Sequence, residues 1–122
     1  MTDERQVLGR AGEELAAATL VRLGYAILER RYRTDRGDID IVAEDGDTLV
    51  FVEVRARANG ECGTAAESVT DAKKRQVARM AREYLAVHDV SGRVCRFDVV
   101  AIDCGMSVEP QVTVYRDAFE DR

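Results

Sequence analysis

An α/β fold with the element order αβββαββ is what this sequence predicts. Three observations carry the expectation. Residues 3–23 are rich in Ala, Leu, Glu and Arg, all good helix formers. Residues 38–56 alternate apolar and polar side chains about a central Asp45-Gly46, a hairpin signal. A second segment of helical period then leads into the strand-like run RFDVVAI at Arg96–Ile102.

The first helix runs from about Asp3 to Leu23, with Gly24 as its stop. Ala26–Tyr32 reads as a short strand. The stretch Arg57–Glu67, with Gly60 and Gly63, reads as a loop. The second helix opens near Ser68, where Ser68-Val69-Thr70-Asp71 resembles a capping box with a short acid. Val77, Met80, Ala81, Tyr84 and Leu85 keep helical spacing and form a core stripe. Lys73 sits one turn before Val77 on that stripe, so its ammonium is expected near the sheet. Gln111–Tyr115 is the expected last strand. Together these make a mixed central sheet flanked by helices.

The hairpin predicts more. With Asp45-Gly46 as the two-residue loop, Ile39 faces Val52 and Ile41 faces Val50. These four, with Ala43 and Val54, then share one apolar face. On the other face Asp38 lies opposite Glu53, and Asp40 opposite Phe51. Glu53 is then the diagonal neighbour of Asp40, roughly 7–8 Å away, with Arg55 following on the same side. A slip of one residue would part the two acids. It would also scatter the apolar residues, which argues against it.

At 122 residues, 46% hydrophobic and 34% charged, the chain suits one globular domain over residues 1–122. No apolar run is long enough to span a membrane. Residues 1–12 lack the apolar core of a signal peptide, and a cytoplasmic location is expected. Cys62, Cys95 and Cys104 fit neither a zinc pattern nor a disulfide framework, and read as reduced thiols. His88, the single histidine, stands beside no other ligand type. The net charge of −5 argues against broad electrostatic binding of nucleic acid. Segregated charge weakens that argument. Arg30, Arg31, Arg33 and Arg36 cluster, as do Lys73, Lys74, Arg75, Arg79 and Arg82.

Asp38, Asp40 and Glu53 converge on one sheet face. Two carboxylates about 4 Å apart repel by about 4 kcal/mol at an effective dielectric near 20. Separation, protonation or a cation relieves this. The acids can face water or pair with Arg55 and Arg57; alternatively they offer hard oxygen ligands to Mg²⁺ or Mn²⁺.

The run GEELAAATLVRLGY, then GDID, VFVEVR, the helix with Lys73, RFDVVAID and a terminal DAF resembles the YraN-like family of uncharacterised bacterial proteins. The resemblance spans about Gly9 to Phe119. That family is similar to the PD-(D/E)XK nucleases, which include restriction enzymes and Holliday-junction resolvases. The resemblance implies a restriction-endonuclease-like fold and a metal-dependent DNA endonuclease, possible substrates being branched or flapped DNA. It implies that Asp40 and Glu53 are catalytic metal-binding acids, with the Val54 carbonyl as a third ligand. Glu13 resembles the first-helix acid of the resolvase branch, on the GE match alone. Asp38 stands where relatives often carry an additional acid. Lys73, Arg57 and Arg36 are expected to contact nucleic acid.

One departure concerns Arg55, which occupies the position usually held by lysine. Arginine keeps its proton and cannot act as a general base. It can still hold a phosphate and stabilise developing charge. The chain has sixteen arginines and two lysines, so drift in composition also accounts for the exchange. Two rival functions remain open at this point: a nuclease-derived nucleic-acid-binding module with weak or no catalysis, and a protein-binding adaptor.

Overall fold

The computed structural model describes residues 4–58, 69–88, 92–104 and 110–120. Its elements are α1 (Glu4–Arg22), β1 (Ala26–Thr34), β2 (Gly37–Asp45), β3 (Thr48–Ala58), α2 (Asp71–Val87), β4 (Cys95–Cys104) and β5 (Gln111–Phe119). This is the αβββαββ order. The strands lie side by side in chain order, and all neighbours are antiparallel except β3 and β4. Parallel neighbours need a long crossover, and α2 lies within it.

The helices cover opposite faces of the sheet. Ala16, Ala17 and Leu20 of α1 pack on Ile41, Ala43, Val50, Val52, Val100 and Ile102. Val77, Met80, Ala81 and Tyr84 of α2 pack on Ile39, Val42, Leu49, Phe51 and Val99. The middle of the sheet is therefore apolar on both faces. Each fully buried Val, Ile or Phe contributes about 1.5–3 kcal/mol relative to its exposed state.

Five expectations are corrected. The hairpin loop is Gly46-Asp47, because Asp45 pairs with Thr48; Ile41 therefore faces Val52, and Val42 faces Phe51. Gly46 has φ +60, the left-handed conformation that a two-residue hairpin turn needs and glycine adopts without penalty. The change displaces the partner strand by two residues, so side chains keep their faces. Ile39 does not share the face of Ile41; it packs in the α2 layer. The regular alternation of a strand is therefore broken at Asp40.

The cap of α2 is Thr70, not Ser68, which lies outside the described residues. Thr70 Oγ1 accepts the Lys73 amide at 3.1 Å. The last strand runs on past Tyr115 to Phe119 through a register shift and a left-handed Asp117 at φ +54. The Asp117 amide, turned out of the ladder there, donates to Asp98 Oδ1 at 2.9 Å. The first two residues of the expected loop, Arg57 and Ala58, belong to β3, where they pair with Asp103 and Cys104; residues 59–68 lie outside the described part.

Candidate functional site

The ladder between β2 and β3 ends at the Ile41–Val52 pair. One step further, where Asp40 would meet Glu53, the Asp40 side chain enters the gap. Its Oδ2 accepts the Val54 amide at 2.8 Å. An extended residue directs its N–H and C=O to the same strand edge, so the Val54 carbonyl opens toward Asp40 as well. Burial pushes the Asp40 carboxyl up to about 6; the Val54 hydrogen bond and Lys73 oppose this, while Asp38 and Glu13 add to it.

Glu53 is 5% exposed, and its Oε2 is buried with no hydrogen-bond partner. Burial first, then the neighbouring Asp40, pushes its carboxyl up to about 8; Lys73 and Arg55 pull the other way. A carboxylate in such a place is costly unless a proton or cation compensates it. Lys73 Nζ reaches it at 3.9 Å, and also donates to Asp38 at Oδ1 (3.1 Å) and at the carbonyl (3.2 Å).

The placement of Lys73 follows from how α2 grips the β1–β2 turn. Gln76 Nε2 donates to the Arg36 carbonyl at 2.9 Å, and Arg36 Nε meets Glu83 at 2.9 Å. Gly37 makes this possible: its φ is +150, and a Cβ there would lie 2.4 Å from the Gln76 amide. On the other layer, Glu13 binds Arg31 Nε at 2.6 Å, and Glu14 binds Arg30 at 2.8 Å. Glu13 is 19% exposed and acts on Asp40, whereas Glu14 is 70% exposed.

The structure thus brings together Glu13, Asp38, Asp40, Glu53, Val54 and Lys73, with Arg55 close enough to act on Glu53. Arg36 is turned to Glu83, and the Arg57 side chain lies outside the described residues. Sequence reasoning missed Arg31, Gln76 and Gly37 as parts of this neighbourhood. It also missed Asp98, fully buried and bonded to Tyr25 Oη (2.8 Å) and Arg96 (2.8 and 3.0 Å). The signal for Asp98 was a lone acid inside an apolar strand. Among the described residues no three His, Cys, Asp or Glu side chains gather tightly enough to hold a metal ion unaided. A groove of about 560 Å³ between α2 and the end of β5 contains none of these acids.

The profile of the uncharacterised protein family UPF0102 matches residues 12–102. The chain belongs to UPF0102. This is the YraN family that the sequence motifs resemble. UPF0102 proteins similar to it include one from Anaeromyxobacter dehalogenans, 46% identical over 118 residues, covering 97% of this chain and 87% of the relative. Relatives from Pelotomaculum thermopropionicum and Moorella thermoacetica are 48% and 49% identical over 102 residues, each covering 84% of this chain and 85% of the relative. The span matched by UPF0102 includes Glu13, Asp40, Glu53, Arg55 and Lys73. Among the described residues, no helix of this UPF0102 chain is long and apolar enough to cross a membrane.

Proposed function

We propose that this chain is a divalent-metal-dependent DNA endonuclease of the cytoplasm, hydrolysing phosphodiester bonds in branched or flapped DNA. The observation that carries the reading is Glu53 Oε2, a buried carboxylate oxygen without a hydrogen-bond partner, beside the half-buried carboxylate of Asp40. Native proteins satisfy such atoms, or use them.

The donor set suits Mg²⁺ or Mn²⁺. Asp40, Glu53 and the Val54 carbonyl offer oxygen alone. Mg²⁺ commonly binds through one or two carboxylates and keeps several waters, so a third acid is not required. Held there, the ion would supply charge to polarise a phosphoryl oxygen and acidify water. Arg55 brings a permanent positive charge and Lys73 an ammonium to the same neighbourhood, where they would hold the phosphate and stabilise its transition-state charge.

The test is cleavage of single-stranded, duplex, flap and four-way-junction DNA with Mn²⁺. The parent is expected to cut at least one, and Asp40→Asn to cut none. A second reading, a nucleic-acid-binding module without catalysis, draws on Arg55 at the usual lysine position. Binding without cutting on every DNA would select it.

A further inference from the structure

Side chains of successive strand residues point to opposite faces. Arg30 and Arg31 do not: both reach acids of α1, Arg30 to Glu14 at 2.8 Å and Arg31 to Glu13 at 2.6 Å. The backbone cause is Arg31 itself, held at φ +55, a left-handed conformation uncommon for a residue with a side chain. Arg30 pairs with Ile41 and Tyr32 with Ile39, so Arg31 stands across from Asp40. At that same rung β2 breaks its own alternation, since Ile39 packs with α2 and Ile41 with α1. Two adjacent strands depart from regular geometry at one rung, and the rung is that of Asp40. Backbone strain persists where the surroundings enforce it, and it gathers at functional sites.

We infer that Arg31 is a phosphate-binding residue of this site, and that Glu13 is the positioning residue that holds its guanidinium beside Asp40. The inference rests on the reading of the site as one that takes DNA. The ligand is a backbone phosphate of the nucleic acid. A site with Asp38, Asp40 and Glu53 repels a phosphate unless cations stand around it. Lys73 stands on the α2 side. Arg31 supplies the counterpart from the α1 side, and Asp40 lies within its electrostatic reach. The bond to Glu13 engages Nε, and a guanidinium carries four further N–H donors in a planar fork suited to phosphate. Arg31 is 42% exposed, so a strand of DNA can reach it.

Binding of four-way-junction and duplex DNA is measured by fluorescence anisotropy across a KCl series, in EDTA so that nothing is cut. Arg31→Gly is the informative variant, because glycine accepts the left-handed backbone, so the side chain and its cation are removed without adding strain. It is expected to weaken binding about tenfold, the loss of one charge-assisted contact. The slope of log affinity against log salt should fall by about 0.7–0.9. Arg31→Lys should recover part of that slope. Glu13→Gln removes a negative charge, which by electrostatics alone would tighten binding; the positioning role expects it to weaken. The exposed Arg22→Ala serves as control and should leave affinity and slope unchanged. Parent-like binding by Arg31→Gly, together with loss in Lys73→Ala, overturns the inference and leaves the DNA reading standing. Equal losses in Arg31→Gly and Arg22→Ala, or tighter binding by Glu13→Gln, also overturn it. A parent that binds neither DNA overturns the inference together with the reading beneath it.

Discussion

Lys73 Nζ stands 3.9 Å from Glu53 Oε2, an oxygen that accepts no hydrogen bond. The same ammonium holds Asp38 at 3.1 Å, so one cation from α2 faces two acids of the hairpin. Lys73→Met should therefore leave carboxylates poorly compensated. We expect a loss of about 1–3 kcal/mol at pH 8, and a smaller loss at pH 5, where Glu53 carries a proton. Urea denaturation at the two pH values measures this. Equal losses at both would mean that Lys73 acts through packing alone.

Asp40 and Glu53 set a pH dependence of stability in the metal-free protein. Their carboxyls are raised from 3.8 to about 6 and from 4.5 to about 8. Between the ordinary and the raised values the folded chain binds more protons than the unfolded chain. Stability therefore falls as pH rises through this window, from about 4 to about 8, and levels off above it. The double variant Asp40→Asn, Glu53→Gln should lose much of this slope and exceed the parent at pH 8. A parent melting temperature that rises from pH 5 to pH 8 by more than that of the double variant would contradict the assignment.

A divalent ion at these acids should stabilise the folded chain by preferential binding. At an ion concentration of about one hundred times Kd the gain is about 2.7 kcal/mol. The melting temperature of the parent should rise with Mg²⁺ or Mn²⁺, and rise more at pH 8 than at pH 6, because the ion needs the acids without their protons. In the Asp40→Asn, Glu53→Gln variant the gain should vanish. An equal gain in both proteins would place the ion elsewhere.

Gly37 carries α2 against the β1–β2 turn. A methyl group there meets the Gln76 amide at 2.4 Å on a backbone of φ +150. Gly37→Ala should cost about 1–3 kcal/mol from the backbone strain alone, and displace Gln76 from the Arg36 carbonyl. The clash part of the loss should disappear in a Gln76→Ala background, leaving the backbone part. A double-mutant cycle with no coupling between the two positions would show that Gln76 moves aside freely.

Much of this was legible because period carries information. The alternation in Asp38–Ile41 and Val52–Arg55 and the apolar runs Ile41–Ala43 and Leu49–Val52 marked β2 and β3, and the Val77, Met80, Ala81 and Tyr84 stripe marked α2. The loop register was not legible: Asp45-Gly46 and Gly46-Asp47 put the same side chains on the same faces, and only the turn geometry separates them. Glu13 and Glu14 are equally helical in sequence, and they differ only in what α1 packs against. The break at Arg31 and Asp40 left no mark, since no glycine stands at the left-handed position. Asp98 pairs with Arg96 two residues before it, but the bonds from Tyr25 and the Asp117 amide that complete its burial come from distant parts of the chain and could not be read locally.

Arg55 is where this chain departs from the lysine that the proposed endonuclease reading expects. Its charge acts on Glu53, and its proton is permanent. If a neutral lysine were required as base, the parent would be inactive and Arg55→Lys would restore cutting. If the group serves only to stabilise charge on the phosphate, the parent cuts already. Arg55→Lys should then be mild and Arg55→Ala severe, because a transition-state contact of this kind contributes about 2.7–4 kcal/mol, or roughly 10²–10³ in rate. We expect the second pattern, since a bound metal can activate water without a side-chain base. Cleavage rates of the parent, Arg55→Lys and Arg55→Ala under the same Mn²⁺ decide it. Activity in the lysine variant alone would overturn the expectation. No activity in any of the three, with DNA binding retained, would instead identify a site that binds DNA without cutting it.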